Sequence, residues 1–198
     1  MKHRGEWRAL SRSRSILIAN RGEIAVRVIR TCRAMGIETV AVYSEADADA
    51  VHTRLADLAL PIGPAPSAES YLRIDRILDA AREAKADAIH PGYGFLSQNG
   101  DFADACEAAG ITFIGPPGRV HRLMGDKKAA RQEVQRFGVP VVPGYDGDDQ
   151  SDERLMVEAG KAGFPLMIKP SRGGGGKGMH VVSSLDEFRA ALPRARRE

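Results

Sequence analysis

Five short apolar runs within residues 15–120, three of them followed by an amphipathic stretch of helical length, constrain this chain more than any other feature. The runs are residues 16–19, 39–43, 58–62, 88–90 and 111–114. After the first, Ile24, Val28, Ile29 and Cys32 recur at helical spacing, and Gly36 ends that helix. Ser67 is read as the cap of a second helix with Tyr71, Ile74, Leu78 and Ala81 on its core face. A third helix is expected over 102–109. Such strand–helix alternation predicts an α/β fold, a doubly wound parallel sheet with helices on both faces, over residues 15–125. Pro61 removes a ladder donor, which places the 58–62 strand at the sheet edge.

Residues 126–198 follow a different plan. A helix is expected over 126–137, ended by the Gly-, Pro- and Val-rich segment 138–144, and an acidic turn over 146–152. Two apolar runs, 164–168 and 179–182, then flank Lys169, Pro170, Ser171, Arg172, four consecutive glycines (Gly173, Gly174, Gly175, Gly176), Lys177 and Gly178. Glycine inside an element is destabilising by roughly 0.5–1 kcal/mol relative to Ala, so a run of four persists where bare backbone is needed. Phosphate oxygens need it, because unshielded N–H groups approach them closely while lysines neutralise their charge. A Walker loop is excluded by Ser171 where its first glycine belongs and by Gly178 where Ser or Thr belongs. Gly173, Gly175 and Gly178 fit dinucleotide-loop spacing, but that loop opens a helix and here a strand follows. The segment therefore reads as the tip of a β-hairpin, a flap over a nucleoside triphosphate like the glycine loops of protein kinases. A polar linker would lack the flanking strands. A last amphipathic helix carries Leu185, Phe188 and Leu192 on one face. A hairpin and two helices bury too little to stand alone, so this module is expected to be an incomplete one, a lid without its floor.

Charge and composition remove several classes of function. The overall charge is +3, but residues 1–14 hold five bases against Glu6, a net of +4, which leaves the rest of the chain near −1. The basic balance thus belongs to a tail expected to be disordered, and no nucleic-acid surface is expected. No apolar run approaches the ~20 residues that span a bilayer. Cys32 and Cys106 read as buried small hydrophobes in a reducing, cytoplasmic compartment. The five histidines lack Cys or His partners at ligand spacing, and the acidic turn lacks the glycine and ligand pattern of a calcium loop, so it is read as a solvated loop.

In parallel sheets, ligands bind outside the carboxyl ends of the strands. Asn20 and Arg21 follow the first strand there, and His90, Tyr93 and Gly94 the fourth; on residue chemistry alone both segments read equally as tight turns. Four segments in order, 18–25, 90–97, 124–127 and 173–179, together resemble the N-terminal part of biotin carboxylase, an ATP-grasp ligase, over essentially everything but the basic tail. The 63–72 segment is more similar to the biotin-containing subunits of acyl-CoA carboxylases than to pyruvate carboxylase. Residues 143–150 are most similar to subunits acting with 3-methylcrotonoyl-CoA or related branched acyl-CoAs.

The resemblance implies a Rossmann-like, pre-ATP-grasp domain followed by part of an ATP-grasp domain. It implies ATP-driven carboxylation of biotin, in which bicarbonate attacks the γ-phosphate and carboxyphosphate delivers CO₂ to the ureido nitrogen. By the same carry-over, Lys127 and Lys169 contact ATP, and Gly173, Gly174, Gly175, Gly176 and Gly178 form the lid. Met179 lies beside the adenine, while Asn20, Arg21, His90, Tyr93 and Gly94 border the active site. Mg²⁺ or Mn²⁺, biotin, bicarbonate, a biotin carrier domain, a carboxyltransferase subunit and a homodimer are implied as cofactors and partners. Pro170, Arg172, Gln98 and Gly100 depart from the family pattern. The family's metal-binding glutamates and carboxylation residues fall beyond residue 198, so no catalytic or metal-binding residue is assigned, and the chain alone is expected not to turn over ATP. Two other readings stay open, a docking module derived from this domain and a fragment of a different ATP-grasp ligase.

Overall fold

The computed structural model describes residues 15–170 and 178–197. The chain divides into two compact units with the boundary between Arg122 and Leu123. In the first, strands β1 (Ser15–Ile18), β2 (Glu38–Ser44), β3 (Leu58–Gly63), β4 (Ala88–His90) and β5 (Thr112–Phe113) form one sheet in the order β3-β2-β1-β4-β5. Every neighbouring pair is parallel, and β3 with Pro61 is an edge strand, as Pro61 requires.

Strand alternation sorts the core into two layers. Ile16 and Ile18 of β1 and Ala88 of β4 pack on Ala25, Val28, Ile29 and Cys32 of α1 (Gly22–Ala34). Leu17, Val40, Val42 and Ile89 belong to the opposite layer, with Ile77, Leu78 and Ala81 of α3 (Ile74–Glu83) and Phe102 and Cys106 of α4 (Gly100–Ala108). The sheet is buried on both faces, which is why its strands read as continuous apolar runs rather than alternating ones. A five-residue helix, α2 (Val51–Leu55), joins β2 to β3. Helix α5 (Gly118–Gly125) follows β5.

The expected cap at Ser67 is corrected. Ser67–Glu69 is a single 3₁₀ turn, and Ser70, with its hydroxyl donating back to the Pro66 carbonyl at 2.9 Å, takes a non-helical conformation that stops it. α3 begins only at Ile74, while Tyr71 reaches the core from the intervening loop.

The second unit contains α6 (Lys127–Arg136), α7 (Asp152–Ala162), the antiparallel hairpin β6 (Leu166–Ile168) and β7 (His180–Val182), and α8 (Leu185–Ala195). Asp126 caps α6 through Lys128 and Ala129, Ser151 caps α7 through Arg154, and Ser184 caps α8 through Glu187, each side-chain oxygen accepting from a first-turn N–H. Ala159, Val182, Phe188 and Leu192 form this unit's small core, with Leu166 and Ile168 packed against it. α7 escaped the sequence reading because its N-cap, Ser151, lies inside an acidic run that resembles a turn.

Phe102 is 0% exposed in the larger core. Phe102→Ala is expected to destabilise the first unit by about 3–5 kcal/mol through lost burial and an unfilled cavity. Met35→Ala, on an exposed side chain, should stay within about 0.5 kcal/mol of the parent. Urea titrations followed by far-ultraviolet circular dichroism compare the two.

Candidate functional site

In the first unit the strand order reverses between β1 and β4, and the chain leaving both strands forms the crevice where open α/β sheets place ligands. Asn20 bridges it. Its side chain is 3% exposed, and its amide nitrogen donates to the carbonyls of Pro91 at 2.9 Å and Tyr93 at 2.8 Å. Its amide oxygen accepts from the Arg21 N–H at 2.9 Å, so both donors and one of the oxygen's two lone pairs are used. Gly92 makes the bridge feasible. Its φ is +63°, and a Cβ there would lie 2.8 Å from the Asn20 amide nitrogen.

His90 ends β4 and accepts the Gly92 N–H on Nδ1 at 3.0 Å, which puts the ring proton of the neutral form on Nε2. Burial pushes its pKa below the ordinary 6.5. His90 borders a cavity of about 300 Å³ walled by Ile24, Val28 and Cys32 of α1 and by Met35, which caps that helix. Tyr93 is exposed, and its hydroxyl donates to the Glu23 carboxylate, which raises the phenol pKa. Gly94, at φ +72°, lies beside open space. The Arg21 side chain pairs with Asp47, Nη1 lying 3.1 and 3.0 Å from its two carboxylate oxygens. The structure therefore joins Asn20, His90, Tyr93 and Gly94 in one loop cluster and ties Arg21 to a partner absent from the motifs.

In the second unit, the register pairs Leu166 with Val182, Met167 with Val181 and Ile168 with His180. Lys169 and Met179 are the next residues on each strand, so they stand at the same end of the hairpin. Alternation puts Met167, Lys169, Met179 and Val181 on one face, opposite the face that packs on α7 and α8. That face is open: Met167 is 45%, Met179 37% and Val181 66% exposed. Met167 and Val181 were missed by motif matching, although the period-two pattern around Lys169 marks them. Lys127 is the first residue of α6 and is exposed. Gly178 takes φ +70°. Gly173, Gly174, Gly175 and Gly176 lie outside the described residues, as do Arg172 and Lys177.

The acidic turn is more than a solvated loop. Lys128 Nζ lies 2.6 Å from Asp148, and Arg131 Nε 3.3 Å from Asp146, which pins the turn to α6. Among the described residues, no group of three or more His, Cys, Asp or Glu side chains could hold a metal ion.

Residues 12–120, more than half of the chain, match the family described as biotin carboxylase, N-terminal domain. This chain belongs to the biotin carboxylase family. Residues 126–198 match the family described as carbamoyl-phosphate synthase L chain, ATP binding domain. The chain is 57% identical over 183 residues to the mitochondrial methylcrotonoyl-CoA carboxylase subunit alpha of Rattus norvegicus, covering 92% of this chain and 26% of that protein. It is 54% identical to the biotin carboxylase of Halalkalibacterium halodurans, over 90% of this chain and 40% of that one. Among solved structures, it is similar to the Campylobacter jejuni biotin carboxylase–βγ-ATP complex, with TM-score 0.91, 48% identity, and coverage of 96% of this chain and 42% of that one. It is also similar to the biotin carboxylase domain dimer of Hydrogenobacter thermophilus 2-oxoglutarate carboxylase, in complex with MgADP, ADP and bicarbonate, with TM-score 0.85, 46% identity, and coverage of 93% and 42%. The chain thus spans between a quarter and about two fifths of the length of these relatives. As a biotin carboxylase relative it has an α/β fold whose parallel sheet, edge strand β3 and antiparallel hairpin agree with the sequence reading.

Asn20→Asp exchanges the donating amide for a carboxylate facing two carbonyl oxygens. It is expected to destabilise the first unit by more than Asn20→Ala, which leaves those carbonyls unpaired at about 1–3 kcal/mol; thermal denaturation ranks the two.

A pH dependence also follows. Burial lowers the pKa of both His52 and His90 from 6.5, so the unfolded chain takes up protons before the folded one does. Their contribution to stability is whole above pH 6.5 and declines as pH falls from there toward the folded-state values. The lowered carboxylates Asp47 and Asp57 act only further down, from their ordinary 3.8. Stability should therefore fall as pH drops from about 6.5 to 5, and His52→Asn/His90→Gln should remove most of that slope in urea titrations.

Proposed function

We propose that this chain is the ATP-binding N-terminal portion of a biotin carboxylase, which uses ATP and bicarbonate to carboxylate biotin on a carrier. The observation that carries the reading is the open hairpin face, where Lys169 and Met179 share one end beside Met167 and Val181. The flat apolar adenine suits a surface of thioethers and a branched side chain. The adjoining Lys169 has no carboxylate partner among the described residues and suits the phosphates. Lys127 supplies a second cation from α6, and the glycines Gly173, Gly174, Gly175, Gly176 and Gly178 of the sequence offer backbone N–H groups that no side chain shields from phosphate oxygens. When bound, ATP supplies the phosphoryl group that activates bicarbonate. The residues described compose no cage for Mg²⁺, so no step is assigned to a metal here.

We take residues 15–125 as the N-terminal domain, with Asn20, Arg21, His90, Tyr93 and Gly94 at the border of the active site, and residues 126–198 as belonging to the ATP-grasp domain. Similarity to methylcrotonoyl-CoA carboxylase alpha subunits supports a branched acyl-CoA carboxylase, acting with a biotin carrier, a carboxyltransferase subunit and a second copy of the biotin carboxylase domain. No helix among the described residues is long and apolar enough to cross a membrane. The free, buried Cys32 and Cys106 support a reducing compartment such as the cytoplasm.

Calorimetric titration with MgATP tests the site. Lys169→Ala should weaken binding at least tenfold, roughly the loss of one charge-assisted hydrogen bond. Equal affinity of parent and variant would reject the role given to Lys169.

A further inference from the structure

We propose that Asp47 is a positioning residue, whose carboxylate fixes the Arg21 guanidinium and the Tyr71 phenol and through them holds the loop after β4 in its working shape. Asp47 lies in the 3₁₀ turn after β2 and carries no recognisable motif. Four contacts converge on it. Arg21 Nη1 reaches both carboxylate oxygens, the Tyr71 hydroxyl donates to Oδ2 at 2.7 Å, and the Ser44 hydroxyl donates to the same oxygen at 3.0 Å. The Ser44 N–H donates to the Tyr71 hydroxyl oxygen at 3.1 Å, so the phenol both accepts and donates.

The aromatic side of the cluster reaches the loop. The Phe95 ring stacks on the Tyr71 ring with centroids 4.9 Å apart and planes 14° from parallel. Arg21 Cζ lies 5.5 Å from the Tyr71 centroid and 5.9 Å from that of Phe95, within cation–π range of both. Phe95 needs such a hold. Its φ is +41°, a left-handed conformation that a bulky side chain adopts only when its surroundings impose it. Tyr93 and Gly94 immediately precede it. Asn20 fixes the start of the same loop through the Pro91 and Tyr93 carbonyls, and the Asp47 cluster fixes its middle. One carboxylate thus couples the segments leaving β1, β2 and β4.

The consequence for Tyr93 and Gly94 rests on reading them as part of the active-site border; the test does not, because it measures the loop in the full chain without nucleotide. Amide hydrogen exchange is followed at Gly92, whose N–H donates to His90, and at Ser97, whose N–H donates to the Gly94 carbonyl at 2.9 Å. Thr112 and Ile114, bonded to Asp87 and Ile89 at the far side of the sheet, serve as references. In Asp47→Asn, exchange at Gly92 and Ser97 should quicken roughly tenfold or more while Thr112 and Ile114 keep their rates. Arg21→Lys should do the same, because an ammonium cannot span both carboxylate oxygens or lie flat on the rings. Tyr71→Phe keeps the stack and should have a smaller effect. Equal acceleration at all four amides would reduce Asp47 to general stability and overturn the proposal, as would unchanged exchange at Gly92 and Ser97. Should Asp47→Asn fail to fold, Arg21→Lys on a half-exposed side chain reads the same amides.

Discussion

A parallel sheet whose crossovers run outward in two directions must leave a crevice beyond its strand ends where the directions part, and here it opens just past the paired ends of β1 and β4. Backbone carbonyls at Pro91 and Tyr93 would face it unpaired. The Asn20 amide closes it with two donors at 2.9 and 2.8 Å, while its oxygen accepts from the chain that starts α1. A buried polar group is tolerated only when it is bonded, and this one satisfies three partners at once. The left-handed Gly92, the ring orientation of His90 and the display of Tyr93 all follow from it. Few substitutions fit, since an acid would repel the carbonyls and an apolar residue would strand them.

The two units are built on unequal resources. The first buries both faces of its sheet, so its strands can be short and purely apolar. The second buries one face of a two-stranded hairpin against α7 and α8 and leaves Met167, Met179 and Val181 in solvent. Isolated hairpins are marginal. Exposure of an apolar face on so small a sheet runs against stability, and a ligand that covers it would offset that deficit. Folding demand and the proposed nucleotide binding would then meet on Met167, Lys169, Met179 and Val181.

What was legible in the sequence follows from the range of the forces involved. The five strands, the edge position forced by Pro61 and the antiparallel hairpin around Lys169 are written in nearest-neighbour patterns of apolar side chains and in one missing N–H. The 3₁₀ turn at Ser67 was misread because Ser-capped helices and Ser-initiated turns use the same hydroxyl, and only the backward bond from Ser70 to Pro66 separates them. α2 is five residues long, too short for any period to show. The carboxylate cluster was invisible for another reason. Arg21, Ser44, Asp47, Tyr71 and Phe95 are scattered over 75 positions of sequence, and only the strand order brings them together. At the candidate site the motif residues stand in contiguous segments, whereas Asp47, which pairs with Arg21, and Met167 and Val181, which share the hairpin face with Lys169, carry no motif of their own.

Charge is selective at the level of single side chains. Arg122 bridges Asp101 and Asp104, Lys128 meets Asp148, Arg131 meets Asp146, and Arg196 meets Asp152. Exposed pairs of this kind contribute little to stability, about 0–1 kcal/mol each. They matter in another way, because a cation already beside a carboxylate competes poorly for an anionic ligand. Lys169, by contrast, has no carboxylate partner among the described residues and precedes the glycine run. A sequence isoelectric point near 9.0 would suggest a protein that attracts anions everywhere. The excess of basic residues lies instead in positions 1–14, which leaves the rest of the chain close to neutral, so a cation without a carboxylate partner counts by its position and not by the overall charge.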